Sequence, residues 1–199
     1  MDDDAALLRR LRDGDEMAFV ALLEQHDSSL RRVARSFVKT PSAVEEVVQE
    51  TWLGVVKGIG TFEGRSSLKT WIFNILANRA RTRAVRDARS LPFSALEDDR
   101  GPAVDPDCFG GDGRWRSAPA RIDFDPQERL LGAELRERLL AAIDALSDQQ
   151  RAVVTLRDVV GMSPEEVCET LEISDGNQRV LLHRGRSNVR AALAVEVVQ

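Results

Sequence analysis

Apolar residues recur at mixed three- and four-residue intervals along most of the chain, the signature of amphipathic helices. Ala5 to Arg12, Glu16 to His26 and Ser29 to Val38 each carry this pattern. Thr40-Pro41-Ser42 interrupts it, and Ser42 with Glu45 has the spacing of a capping box for the next helix. That helix places Val44, Val47, Val48, Trp52, Val55 and Val56 on its apolar side. Gly58, Gly60 and Gly64 then predict a loop, and Ser66 or Ser67 opens a long helix to about Arg89.

The pattern vanishes after Leu91. Residues 91–125 hold Pro92, Pro102, Pro106 and Pro119 with Gly110, Gly111 and Gly113, and neither a helical nor a strand period survives. This predicts a long flexible acidic linker. Helix returns at Asp125-Pro126, with an apolar stripe of Leu130, Leu131, Leu135, Leu139, Ile143 and Leu146. Ser147 with Gln150 predicts a further helix through Val160, ended by Gly161. Ser163-Pro164-Glu165-Glu166 combines a cap, a first-turn proline and a box acid. The expected fold is all-α: two small helical domains, 1–90 and 126–199, joined by the linker 91–125.

Charge sharpens this picture. The chain has 199 residues, 43% hydrophobic and 31% charged, with a net charge of −5, a balance that fits a globular protein. Yet Arg65 to Arg89 carries seven basic residues against the single acid Asp87, and Gly176 to Ala194 carries four arginines and no acid. Glu97 to Glu128 between them holds nine acids and four arginines. Two basic blocks point to two contacts with a polyanion. No apolar run approaches the roughly 20 residues that span a bilayer, and the acidic start lacks a signal peptide's apolar centre, so a cytoplasmic location is expected. Cys108 and Cys168 lie far apart without metal-ligand spacing and read as free thiols. Neither they nor the two isolated histidines suggest a metal, cofactor or nucleophile, and no enzyme activity is expected.

Ser163 to Arg190 reads as two helices around a tight break. Val167, Cys168 and Leu171 face inward on the first, Ile173 fills the turn, and Ser174 or Asp175 caps the second. On that second helix Gln178, Leu181, Leu182, Gly185 and Val189 share one side, and Arg179, Val180, His183 and Arg184 lie mainly on the other. A recognition helix needs this division, because one side packs while the other enters the major groove. Gly161, Ser163, Glu166, Val167, Leu171, Ile173, Ser174, Gly176, Arg179, Leu182, Arg184 and Arg186 stand where the promoter-binding domain of extracytoplasmic-function sigma factors has its pattern. The segment resembles that domain, departing at Cys168, Asn177, Gln178, Val180 and Leu181. The resemblance implies contact with the duplex −35 element through Arg179, Val180, His183 and Arg184.

Two N-terminal motifs resemble the same family. Val44 to Leu53 (VEEVVQETWL) is similar to the helix that binds the clamp helices of the polymerase β′ subunit. By that resemblance Glu46, Gln49, Glu50 and Leu53 face core RNA polymerase. Thr61 to Asn78 (TFEGRSSLKTWIFNILAN) is similar to the loop and helix that melt the −10 element and capture an unstacked base. Base capture needs a small-residue loop, polar groups and cations for the backbone. The resemblance assigns Ser66, Ser67 and Leu68 to the loop, and Lys69, Asn78, Arg79, Arg81 and Arg83 to the polar and cationic groups. Trp71 and Phe73 read as core rather than stacking platforms.

The chain is thus expected to bind core RNA polymerase (β′ clamp helices and β subunit) and promoter DNA, duplex at −35 and single-stranded at −10. An anti-sigma factor is an expected partner. The alternatives are a free-standing helix-turn-helix regulator that never engages polymerase, and a small nuclease. In the linker, Glu97, Asp98, Asp99, Asp105 and Asp107 either mimic nascent RNA or form a solvated tether, with Phe109 and Trp115 as possible anchors.

Overall fold

The computed structural model describes residues 2–86 and 128–195, with side chains for 6–86 and 134–193. The linker expectations, Cys108 and the Asp125-Pro126 helix start lie outside the described residues, as do the side chains of Leu130 and Leu131. Among the described residues every regular element is helical.

The first half holds α1 (Asp2–Arg12), α2 (Glu16–Ala34), α3 (Pro41–Gly58), a 3-10 turn (Ile59–Thr61) and α4 (Leu68–Arg86). Asp15 caps α2, accepting from the backbone N–H groups of Met17 and Ala18 at 3.0 and 3.1 Å. The break expected between His26 and Ser29 does not occur, and α2 runs through it. Asp27, a residue that favours turns, is held in the helix by Arg31 one turn on at 2.6 Å. It also accepts from the Trp52 indole at 3.3 Å. The cap of α3 is Thr40, not Ser42, with Pro41 in the first turn; Glu45 pairs with Arg31 instead of closing a box. Ser67 starts α4 by accepting from the Thr70 N–H at 3.2 Å.

The second half holds α5 (Glu128–Asp144), α6 (Asp148–Val154), a π-helical turn (Thr155–Val159), α7 (Pro164–Leu171) and α8 (Asp175–Val195). The capping box at Ser163 forms in full, the Ser163 Oγ accepting from Glu166 N and Glu166 accepting from Ser163 N. Ser147 precedes α6 without a side-chain cap bond. The expected helix to Val160 therefore exists but widens into the π turn over its second half.

α3 lies on α4 and α6 lies on α8, the main contacts within each half. The two halves do not keep separate cores. One buried cluster runs from Leu22, Leu30, Ile72, Phe73 and Leu76 to Leu156, Met162, Val167 and Leu171. Among the described residues Ile143, Leu146, Val154 and Val189 form a second, smaller one. Val56 was expected on the apolar side of α3 but is 55% exposed; Leu135 and Leu139 of the α5 stripe are also exposed. An amphipathic stripe wider than its partner leaves its flanks in solvent.

Candidate nucleic-acid interface

The helix-turn-helix is built from the caps outward. α7 ends at Glu172, whose left-handed backbone (φ 58°) makes the tight turn, and Ser174 Oγ accepts from Asn177 N at 3.2 Å to start α8. Gln178, Leu181 and Val189 are buried. Gly185 allows α8 to approach α6 closely, since a Cβ there would stand 2.6 Å from Val154 Cγ2. The packing side expected from sequence is therefore the packing side observed.

Arg179 and Val180 are exposed on the other side, with His183 and Arg184 half-buried beside them. Arg179 pairs along the helix with Asp175 at 2.8 Å. Arg186 is committed elsewhere, to Asp158 at 2.6 and 2.9 Å, and this hydrogen bonding raises its pKa. Cys168 is half-buried, and burial with the nearby Asp175 and Glu165 charges keeps its thiol above the usual range.

Four basic residues of α4 fall into two groups. Lys69 and Arg81 reach across to the second half. Lys69 Nζ donates to the carbonyls of Val160 and Gly161 at 3.2 and 2.7 Å. Arg81 donates to the Thr170 carbonyl and to Glu172 at 2.9 Å, while burial lowers its pKa. Arg79 and Arg83 instead meet the acids of α3, Arg79 with Glu50 at 3.8 Å and Arg83 with Glu46. Asn78 is exposed and accepts from Arg81 at 3.0 Å. Ser66 and Ser67 are half-buried at the mouth of the loop.

Leu68 departs from its expected place. It is the first residue of α4, 6% exposed and part of the core, not a loop residue open to a base. An apolar side chain at a helix start beside two serines is drawn inward, because burial is worth more than exposure. Phe73 is fully buried with its ring edge-on to His26, as expected of core. Trp71 is half-buried, its ring 4.9 Å from that of Phe62 at a tilt of 38° and pressed against Gly58.

On α3, Glu46, Gln49 and Leu53 are exposed and Glu50 is half-buried. Val56 continues this ridge by one turn, a residue the sequence reading placed on the apolar side of the helix. Sequence also missed Thr70, Asn74, Thr170 and Glu172, and gave Glu166 only its capping role. Thr70 donates to Glu166 at 2.7 Å and Thr170 donates to Asn74. Their partners lie 96 residues away in the chain, and the only sequence signal was polar residues on the otherwise apolar sides of α4 and α7. Among the described residues no cluster of His, Cys, Asp and Glu is suited to a metal ion, and none of the helices is long and apolar enough to cross a membrane.

Comparison with known proteins supplies the context for these surfaces. Residues 22–90 match the model of sigma-70 region 2, and residues 136–189 match that of sigma-70 region 4. The chain is 26% identical over 186 residues to the ECF RNA polymerase sigma-E factor of Escherichia coli, covering 94% of this chain and 92% of that one. It is 26% identical over 192 residues to the RNA polymerase sigma-H factor of Pseudomonas aeruginosa, covering 96% and 94%. Among solved structures, the sigma factor RpoE of Bartonella quintana, bound to the anti-sigma factor NepR, shares the fold. Its TM-score is 0.52 at 22% identity, covering 89% of this chain and 97% of that one. Two family models in order across most of the described residues, with full-length relatives, agree with a capped helix-turn-helix and a basic α4: the chain belongs to the extracytoplasmic-function class of sigma-70 family sigma factors.

Proposed function

We propose that this protein binds core RNA polymerase and directs promoter-specific initiation, reading duplex DNA with α8 and opened DNA with the Ser66 to Arg83 segment. One observation carries the reading: region 2 and region 4 sequences stand in order in a single chain, each folded to present a basic helix. The α3 ridge of Glu46, Gln49, Glu50 and Leu53, extended by Val56, is the proposed docking face for polymerase. An exposed leucine and valine flanked by acids suit a partner with an apolar spot rimmed by cations. Arg179, Val180, His183 and Arg184 are the proposed −35 contacts. Ser66, Ser67, Lys69, Asn78, Arg79, Arg81 and Arg83 are the proposed −10 contacts.

This assignment implies movement. Lys69 and Arg81 are engaged with α7 and its flanking turns, so they reach DNA only when the halves part. Arg79 and Arg83 are paired with acids of the polymerase face, so docking at Glu46 and Glu50 would release both from these acids and turn them toward the phosphate backbone. The domain limits 1–90, 91–125 and 126–199 are part of the same reading, with the linker spanning the two promoter contacts. A sigma factor acts by binding, so no residue is assigned to catalysis, and its place is the cytoplasm with the polymerase. An anti-sigma factor, the kind of protein bound to the Bartonella relative, is the proposed regulator.

A free-standing regulator would need the α8 face but would leave the α3 ridge without a role. The experiment is run-off transcription with core polymerase on a genomic library, with mapping of start sites. Protein-dependent transcripts sharing two spaced elements are expected; no such transcript would end the proposal.

A further inference from the structure

α8 offers one face to a ligand because the other is fully used. Gln178 is 1% exposed, Leu181 2% and Val189 8%, and Gly185 sits against Val154. On the outward face Val180 is central. Gly176 and Asn177 lie one turn before it and His183 and Arg184 one turn after, at the spacings that make helix neighbours. Arg179 stands beside it. Val180 is 48% exposed, the only large apolar side chain so exposed on α8 among the described residues. Its two methyl groups are an apolar island among cationic and hydrogen-bonding groups.

A single exposed valine needs no explanation on ordinary surface. Here the surface is the one that enters the major groove. There base edges present donors and acceptors throughout, with one apolar group, the thymine C5-methyl. Against any other edge the valine would strip water from a polar atom and return no hydrogen bond, which is unfavourable. Against the methyl it loses nothing and buries area on both sides.

We propose that Val180 is a specificity residue that selects a thymine in the −35 element by packing on its C5-methyl. Arg179 and Arg184 on either side supply guanine or phosphate contacts to the neighbouring nucleotides. The inference rests on the proposed −35 role of α8.

The test uses holoenzyme and promoter duplexes taken from the mapped start sites. Each −35 thymine is replaced in turn by deoxyuridine, which keeps every hydrogen-bonding group and lacks only the methyl. With subsaturating wild-type holoenzyme, one position should lower run-off yield about fourfold, the worth of one buried methyl-sized group. Val180→Ala should lower yield on the thymine promoter and show no further fall with deoxyuridine. Val180→Thr, which keeps one methyl, should retain part of the thymine preference. Three outcomes overturn the proposal alone: transcription indifferent to deoxyuridine at every −35 position, a −35 element with no A·T pair, or a V180A holoenzyme as sensitive as wild type. Absence of any protein-dependent transcript overturns the sigma reading with it.

Discussion

Asp144→Asn should weaken the docking of the two halves. Arg32 on α2 and Asp144 at the end of α5 are 112 residues apart in sequence, and they meet at 2.7 Å with a second contact at 3.4 Å. Arg32 is nearly buried, with 8% of its side chain exposed, and its Nη1 has no acceptor. Asp144 is therefore the carboxylate opposite a guanidinium that has left water, and Arg35 adds a looser contact at 3.7 Å. Removing one partner of a buried pair costs about 3–5 kcal/mol. Asp144 keeps 35% of its side chain exposed, so solvent screens part of that. An asparagine carbonyl still accepts one bond from Arg32, leaving a loss of about 1–2 kcal/mol, a factor of about 5–30. Native-state hydrogen exchange measures it directly, because amides protected only by docking open with the free energy of separation. Exchange along α2 and the end of α5 should quicken by about 5- to 30-fold, and the double variant R32M/D144L should bring it back toward wild type by replacing the pair with apolar contact. Rates in D144N within about twofold of wild type would refute the reasoning, since the pair would then be contributing less than a surface ion pair.

Four further outcomes are expected. Gly185→Ala gains about 1 kcal/mol in helix propensity but forces a Cβ to 2.6 Å from the stiff Val154; overpacking of about 1–3 kcal/mol outweighs the gain. Urea unfolding should show net destabilisation that a Val154→Ala background relieves, and a more stable G185A would contradict it. Ser163→Ala removes the complete capping box of α7, at about 1 kcal/mol, read as a melting temperature lower by about 2–4 °C. Leu53→Asp, at a position 58% exposed, should change unfolding stability by no more than about 0.5 kcal/mol. It should nevertheless abolish co-elution with core polymerase, and retained co-elution would remove α3 from the interface. The pKa of Asp15 is lowered chiefly by its hydrogen bond to Arg10, then by capping of Ala18. A depressed carboxylate stabilises the fold above its unfolded value of 3.8 and loses that contribution as pH falls through the lower folded value. Asp15→Asn should therefore flatten the fall in melting temperature below about pH 4 while leaving an amide able to cap; an unchanged acid slope would count against the assignment.

Local signals were legible in the chain because their physics is local. Ser163, Pro164 and Glu166 announced a capped helix and formed one; the same holds for the packing side of α8, set by Gln178, Leu181, Gly185 and Val189. Where a local signal had competitors, sequence chose wrongly. Ser42 and Thr40 were both able to cap α3, and the proline between them favoured Thr40, since it occupies the first turn. Asp27 and the serines after it favoured a break, and Arg31 and Trp52 held them in the helix. Leu68 and Val56 were misplaced because each sits at the edge of an apolar stripe, where the neighbouring helix decides what is covered.

The sequence by itself determined that the chain is helical, where its basic blocks lie, and which side of α8 faces outward, because periodicity and capping depend on residues three or four apart. Only the tertiary structure decided that the two halves share one core. It also set Lys69 and Arg81 against α7 and its flanking turns, and Arg79 and Arg83 against the acids of α3. Those contacts join residues from 29 to 92 positions apart, and no local pattern encodes which distant partner a cation will find. Packing of α3, α4 and α7 brings them together, and with them the question of which residues are available to DNA at a given moment.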